Sequence, residues 1–167
     1  TLNIMQRLYE QHKVLTYPRT DSRYIGSDIV PTIKERLKAC NIGPYKKFIP
    51  SLLKAPIKTS KAFVDDAKVS DHHAIIPTEE YVQLEHMSND ERKIYDLVIR
   101  RFISVLYPAF EYEQTTLKAS AAGQAFTAKG KVIRSPGWKA IYDSSSAADS
   151  SFLDDPEEDD ASWQSCE

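Results

Sequence analysis

Long apolar runs are missing from this sequence. No stretch approaches the roughly 20 residues that a membrane-spanning helix needs, so no membrane partner is expected. Cysteine is nearly absent: Cys40 and Cys166 are the two in 167 residues. Their separation offers neither a disulfide framework nor a zinc spacing, and a reducing, intracellular setting is the simpler expectation. A glycine-rich phosphate loop is lacking, as are an internal repeat and a leader pattern at the start. The first residue, Thr1, already lies inside a helical pattern, which is expected of a piece of a longer protein. What remains is a hydrophobic content of 41%, enough to give one domain or two small ones a core.

The net charge of −2 hides a partition. Residues 1–68 carry 13 Lys or Arg against 6 Asp or Glu, residues 69–142 carry 9 of each, and residues 143–167 carry 9 acids with no Lys or Arg. A basic first part favours a phosphate-backbone partner, although a solvated lysine surface has the same composition.

Inside that basic part stands Leu15-Thr16-Tyr17-Pro18-Arg19-Thr20-Asp21-Ser22-Arg23-Tyr24. Pro18 disfavours helix at Tyr17, so a helix running up to this point is expected to stop here. On extended backbone alternate residues face the same way, which lets Tyr17 and Arg19 share one site. Arginine is a rigid bidentate phosphate binder, and a phenol beside it suggests phosphoryl transfer with tyrosine as nucleophile. By local composition alone, Tyr17 also reads as one packing tyrosine among nine.

Helical spacing over residues 1–13 puts Leu2, Met5, Leu8 and Tyr9 on an apolar face, with Arg7 and Glu10 toward water. Ser27 or Asp28 can cap a second helix that buries Val30, Ile33 and Leu37, with Cys40 next, and that ends at Asn41 and Gly43. Residues 44–60 are broken by prolines, with a short helix expected around Phe48, Leu52 and Leu53. Ser88-Asn89-Asp90-Glu91 is a capping box ahead of the strongest helix signal, in which Ile94, Leu97, Val98, Phe102 and Val105 recur up to Pro108. Arg92, Lys93, Arg100 and Arg101 lie among them, as a solvated face by default. Beyond Pro108 the period changes to that of strands: Tyr112–Ser120, then Phe126–Lys129 and Lys131–Arg134, with Trp138–Tyr142 after a turn at Pro136-Gly137.

A second motif is Val69-Ser70-Asp71-His72-His73-Ala74-Ile75-Ile76-Pro77-Thr78. Adjacent side chains diverge on either kind of backbone, so Asp71-His72-His73 is a poor metal chelate.

Together the two motifs resemble signatures of the type IA DNA topoisomerases, in the same order. Thr16–Ser22 resembles the active-site tyrosine motif, and the His-His-Ala-Ile-Ile-Pro form is most like the bacterial topoisomerase III branch. Weaker similarity continues through Arg101-Phe102 to Gly137-Trp138. The resemblance implies an α+β chain: a helical domain at 1–108 with the tyrosine and histidine motifs, a small antiparallel β segment at 109–142 that is part of an arch, and an acidic Ser-rich linker or disordered tail at 143–167. It implies Tyr17 as nucleophile, and Arg19 and His72 as groups on the scissile phosphate. Thr20, Asp21, Ser22 and Arg23 would belong to the surrounding shell, with Thr20, Ser22 and Arg23 also on the DNA. His73 stands where other members have glutamate, and no role passes to it.

The partner implied is single-stranded DNA, broken and rejoined through a 5′-phosphotyrosine without ATP, in a cytoplasmic, nucleoid-associated enzyme. Family members also use an acidic magnesium-binding domain with an Asp-x-Asp-x-Glu pattern, which has no counterpart here. Mg²⁺ would therefore be held by ligands outside this stretch, in the remaining domains of the same enzyme, and the stretch alone is expected to be inactive. Two alternatives stand beside this reading: a non-catalytic single-stranded nucleic-acid-binding module, and an interaction domain whose acidic tail covers the basic part.

Overall fold

Apolar spacing and capping place most helices where a computed structural model, which describes residues 1–143, has them. In chain order these are α1 (Leu2–Glu10), α2 (Ile33–Ala39), α3 (Ile49–Lys54), α4 (Asn89–Leu106) and α5 (Ala140–Asp143). Short 3-10 turns sit between them, and one antiparallel pair, β1 (Glu111–Ala121) with β2 (Gln124–Ser135), completes an α+β chain. The tail read as an acidic linker lies, beyond Asp143, outside the described residues.

The core is helical. Leu8 of α1, Ile33 and Leu37 of α2, Ile49 of α3, Tyr95, Ile99 and Ile103 of α4 and Ile141 of α5 are all essentially inaccessible to solvent. Each such side chain contributes about 1.5–3 kcal/mol by leaving water. Helix α4 is the spine. Ser88 caps it reciprocally: its hydroxyl accepts from the Glu91 N–H at 3.3 Å, and the Glu91 carboxylate accepts from the Ser88 N–H at 2.8 Å. The buried face of α4 is Tyr95, Ile99, Phe102, Ile103 and Leu106. That is a rotation from the expected stripe, and Leu97 is 63% exposed. Arg100 is buried as well, donating to Asp96 at 2.7 Å and to the Ile141 carbonyl. Asp96 in turn accepts from the buried Tyr45 hydroxyl at 3.0 Å.

The end of the chain also departs from its sequence pattern. Residues 137–143 form a helical turn and α5 rather than a strand, and Ile141 joins the core against α4. The two strands leave and return at one point. There the Trp138 N–H donates to the Pro108 carbonyl at 3.0 Å, and Gly137 has φ +44. A side chain at Gly137 would overlap the Pro108 and Ala109 carbonyls. Strand β2 runs unbroken through Gly130, and Ala122 and Gly123 form the tip, both at positive φ as a two-residue hairpin turn requires.

Helix α1 ends at Glu10, earlier than its spacing predicts, and Lys13 turns the chain at φ +58. Pro18 therefore does not end it. Arg7 does not merely face water either. It meets Glu91 at 2.9 Å, and the His12 ring lies 3.6 Å from the same carboxylate. Glu91 thus joins the helix before Tyr17 to the start of α4.

Two expectations follow. The Glu91 carboxyl is held below the usual carboxylate range, first by the Ser88 backbone N–H and then by the Ser88 side chain, Arg7 and His12. Its folded value lies below the unfolded one of about 4.3. Its contribution is therefore complete above that pH and is lost as pH falls through the folded value. Denaturant titrations across an acid pH series should show this loss in the natural protein and a flatter acid limb in Glu91→Gln. Gly137→Ala should destabilise the chain by about 1–3 kcal/mol from left-handed backbone alone, with steric overlap adding to it. Gly123→Ala, where a Cβ meets nothing within 4 Å, should cost less in the same denaturation assay.

Candidate active site

The two motifs are neighbours because their backbones are stitched together. Residues 14–16 run antiparallel to residues 76–78: the Thr16 N–H donates to the Ile76 carbonyl at 3.0 Å, the Thr78 N–H to the Val14 carbonyl at 3.1 Å, and Leu15 bridges Pro77. Side chains tighten the seam. The Thr16 hydroxyl accepts from the Ile76 N–H at 3.0 Å and donates to the Ala74 carbonyl at 3.3 Å. The Thr78 hydroxyl donates to the Lys13 carbonyl at 2.6 Å, and the Thr20 hydroxyl to the His72 carbonyl at 3.0 Å. Further along, the Ala74 N–H reaches the Tyr24 carbonyl at 2.8 Å.

This seam sets Tyr17 against His72, with ring centroids 4.4 Å apart and planes tilted by 41°. Tyr9 of α1 meets Tyr17 edge-on at 5.5 Å. Tyr17 is half-buried between the two rings, and His72 is exposed. Arg19 is exposed and makes no hydrogen bond or ion pair among the described residues. Asp21 and Asp71 are exposed too. Ser22 closes a tight turn: its N–H donates to the Thr20 hydroxyl at 3.1 Å, and its own hydroxyl donates to the Lys68 carbonyl at 2.7 Å. His73 turns onto its neighbour, its Nδ1 donating to the Ala74 carbonyl at 2.7 Å.

Two contributors were not singled out by sequence reasoning. Tyr9 was read only as part of an apolar face. Arg36 was one cation among many in the basic part, yet it is buried. It donates to the Pro77 carbonyl at 2.7 Å and to the Thr32 hydroxyl at 2.8 Å, and pairs with Glu79 at 3.1 Å. Burial draws its guanidinium below the ordinary arginine value, with Glu79 and Asp28 opposing. It fixes the histidine segment to α2. Cys40, pushed up to about 12 by burial, is an unreactive core thiol. Among the described residues no three His, Cys, Asp or Glu side chains converge as a metal site.

Chemically, the site offers a phenol, an imidazole packed against it at a tilt and an unengaged guanidinium two residues away. Thr16→Val would keep the shape but orphan the Ile76 N–H. A loss of about 1–3 kcal/mol is expected, with a weaker Tyr17–His72 ring contact by NMR. Thr16→Ser, which keeps the hydroxyl, should retain most of both.

Comparison with known proteins gives consistent matches. Residues 1–165 match a family model described as DNA topoisomerase. The chain is 59% identical over 164 residues to a Bacillus cereus protein named DNA topoisomerase 3, covering 98% of this chain and 22% of that one. A Bacillus subtilis protein of the same name is 54% identical over 160 residues, covering 96% of this chain and 21% of that one. The chain thus spans about a fifth of the length of the curated relatives it matches.

Proposed function

This chain belongs to the DNA topoisomerase family, and we propose that it is the tyrosine-bearing part of a bacterial type IA enzyme acting on single-stranded DNA. The observation that carries this reading is the Tyr17–His72 pair, assembled from residues far apart in sequence and flanked by the exposed Arg19. In the proposed step the Tyr17 oxygen attacks a backbone phosphorus. A tyrosyl O–P bond forms to the 5′ side and the P–O3′ bond breaks. The phenolic proton passes to solvent or a base, and the departing 3′ oxygen takes up a proton. Resealing reverses the exchange. One phosphodiester-type bond replaces another, so no ATP is consumed.

Arg19 grips the non-bridging oxygens and stabilises charge that grows on them in the transition state. His72, packed against the nucleophile, contributes a donor to the same phosphate. Thr20, Asp21, Ser22 and Arg23 hold the loop's shape: Thr20 ties it to the His72 backbone, and Ser22 ties it to Lys68. Thr20, Ser22 and Arg23 also lie where a bound strand would continue. Magnesium belongs to this proposal only as an ion of the full-length enzyme, with ligands outside residues 1–167, and no step is derived through it. The exposed hairpin of β1 and β2 is read as a strand pair that other parts of the enzyme complete. We place the enzyme in the cytoplasm, where the chromosome is.

The test uses the full-length parent protein with labelled single-stranded oligonucleotide and Mg²⁺, quenched in denaturant. A DNA–peptide adduct at Tyr17 is expected, absent in Tyr17→Phe and slowed by about 10²–10³-fold in Arg19→Ala. Arg19→Lys should restore only part of the rate, since the bidentate fork is lost. The 167-residue chain alone should form no adduct. Retention of the adduct in Tyr17→Phe would overturn the assignment. Binding of single strands without any adduct would favour a non-catalytic binding module.

A further inference from the structure

Next to the seam lies a cleft of about 800 Å³, within the size range of ligand sites. Tyr17, Arg19 and His72 are not among its lining residues. It is bounded by the continuation of the tyrosine segment through Tyr24, by Phe63 and its neighbours, and by the last turns of α4 with Tyr107 and Trp138. Two arginines, Arg23 and Arg101, line it, and no carboxylate does. Both guanidinium groups are exposed, and neither has an acidic partner among the described residues.

The Arg23 end is organised. Its Nη2 donates to the Tyr24 hydroxyl at 3.1 Å, and Lys68 Nζ donates to the same oxygen at 3.3 Å. Two cations therefore converge on one phenol oxygen. The phenol is held below its ordinary range, by the Arg23 hydrogen bond first and the Lys68 one second. Lys68 has one partial counter-charge, Asp65 at 3.6 Å. An anion at this point would meet positive charge already in place. Flat aromatic faces and cations in one open cleft are the combination by which proteins hold unpaired nucleotides, with bases on the rings and phosphates on the cations.

We infer that this cleft is a second, non-catalytic site for single-stranded DNA, taking phosphates at its two lining arginines, Arg23 and Arg101, and a stacked base toward Tyr107 and Trp138. The inference rests on the topoisomerase reading for its choice of ligand. It extends that reading by giving a strand a hold separate from the Tyr17–His72 pair. The seam of residues 16–24 would then be shared, with the nucleophile on it and the holding cleft beside it.

The experiment photo-crosslinks an iodouracil-substituted single-stranded oligonucleotide to the full-length protein and maps the attached peptides by mass spectrometry. Crosslinks at Tyr107, Trp138 or Phe63 are expected, at least tenfold weaker in Arg101→Glu. Arg101→Ala should lower the salt slope of strand binding by about 0.7, the value for one lost phosphate contact on a single strand. Crosslinks confined to peptides outside the cleft would overturn the inference, and the natural protein alone decides that point. Displacement by free thymidine monophosphate as readily as by the strand would also overturn it, in favour of a free-nucleotide site. The Tyr17 adduct is scored in the same samples. Cleft crosslinks without an adduct would support the cleft and defeat the catalytic reading; an adduct without cleft crosslinks would do the reverse.

Discussion

The site depends on one hydroxyl. Thr16 both accepts from and donates to the backbone of the histidine segment, across 58 and 60 residues of sequence. Without that seam Tyr17 and His72 would sit on separate loops, since neither belongs to a helix or a paired strand. Loop residues carry function only when a scaffold fixes them. Here the scaffold reaches the seam from two directions. Arg36 ties Pro77 to α2, and Glu91 ties α1, just upstream, to α4. Both ties use charged side chains that are themselves mostly buried, so losing one partner leaves an uncompensated charge. The geometry of the phenol and imidazole is therefore set by groups that touch neither ring.

Much of this was legible in the residues, and the gaps have physical causes. The Ser88–Glu91 box was readable because it is a local exchange of hydrogen bonds within four residues. The phase of α4 was not. Ile94, Leu97 and Val98 are as apolar as Tyr95 and Ile99, and only the positions of α1 and α5 decide which set is covered. Arg100 illustrates the same limit: its burial requires Asp96 on its own helix and a carbonyl of α5 forty-one residues away. Trp138–Tyr142 reads as a strand by composition, yet Gly137 turns it back onto α4, where packing outweighs propensity. For the site, the tyrosine and histidine motifs were visible as patterns. That Thr16 joins them was not, because a hydroxyl's partner 60 residues away leaves no local mark.

The hairpin obeys a different logic. Every residue of β1, and of β2 up to Arg134, is exposed, and two strands alone are marginal in water. Its register sets which side chains share a face. Leu117, Ala119, Phe126, Ala128 and Val132 share one face with Glu113, Thr115 and Gln124, while Thr116, Lys118, Thr127, Lys129 and Lys131 share the other with Tyr112 and Ile133, so both faces mix apolar and polar side chains. The helical core, by contrast, has its side chains covered within the described residues. The ribbon emerges from that core at the Gly137 pinch, where its two ends are fixed to each other and to α4 through α5.

That pinch bears on the site. The Pro108 and Trp138 backbones meet at the end of α4, beside the cleft that the tyrosine segment also lines. A force on the ribbon would act first on Trp138 and Tyr107, and through the cleft on Tyr24 and the seam. Rigid elements joined by few contacts transmit displacement in this way, whereas a well-packed core resists it. The helical core is closely covered around Tyr95, Ile99 and Ile103, all at 1% exposure or less. Motion of the ribbon should therefore leave the helical core intact while changing the width of the neighbouring cleft.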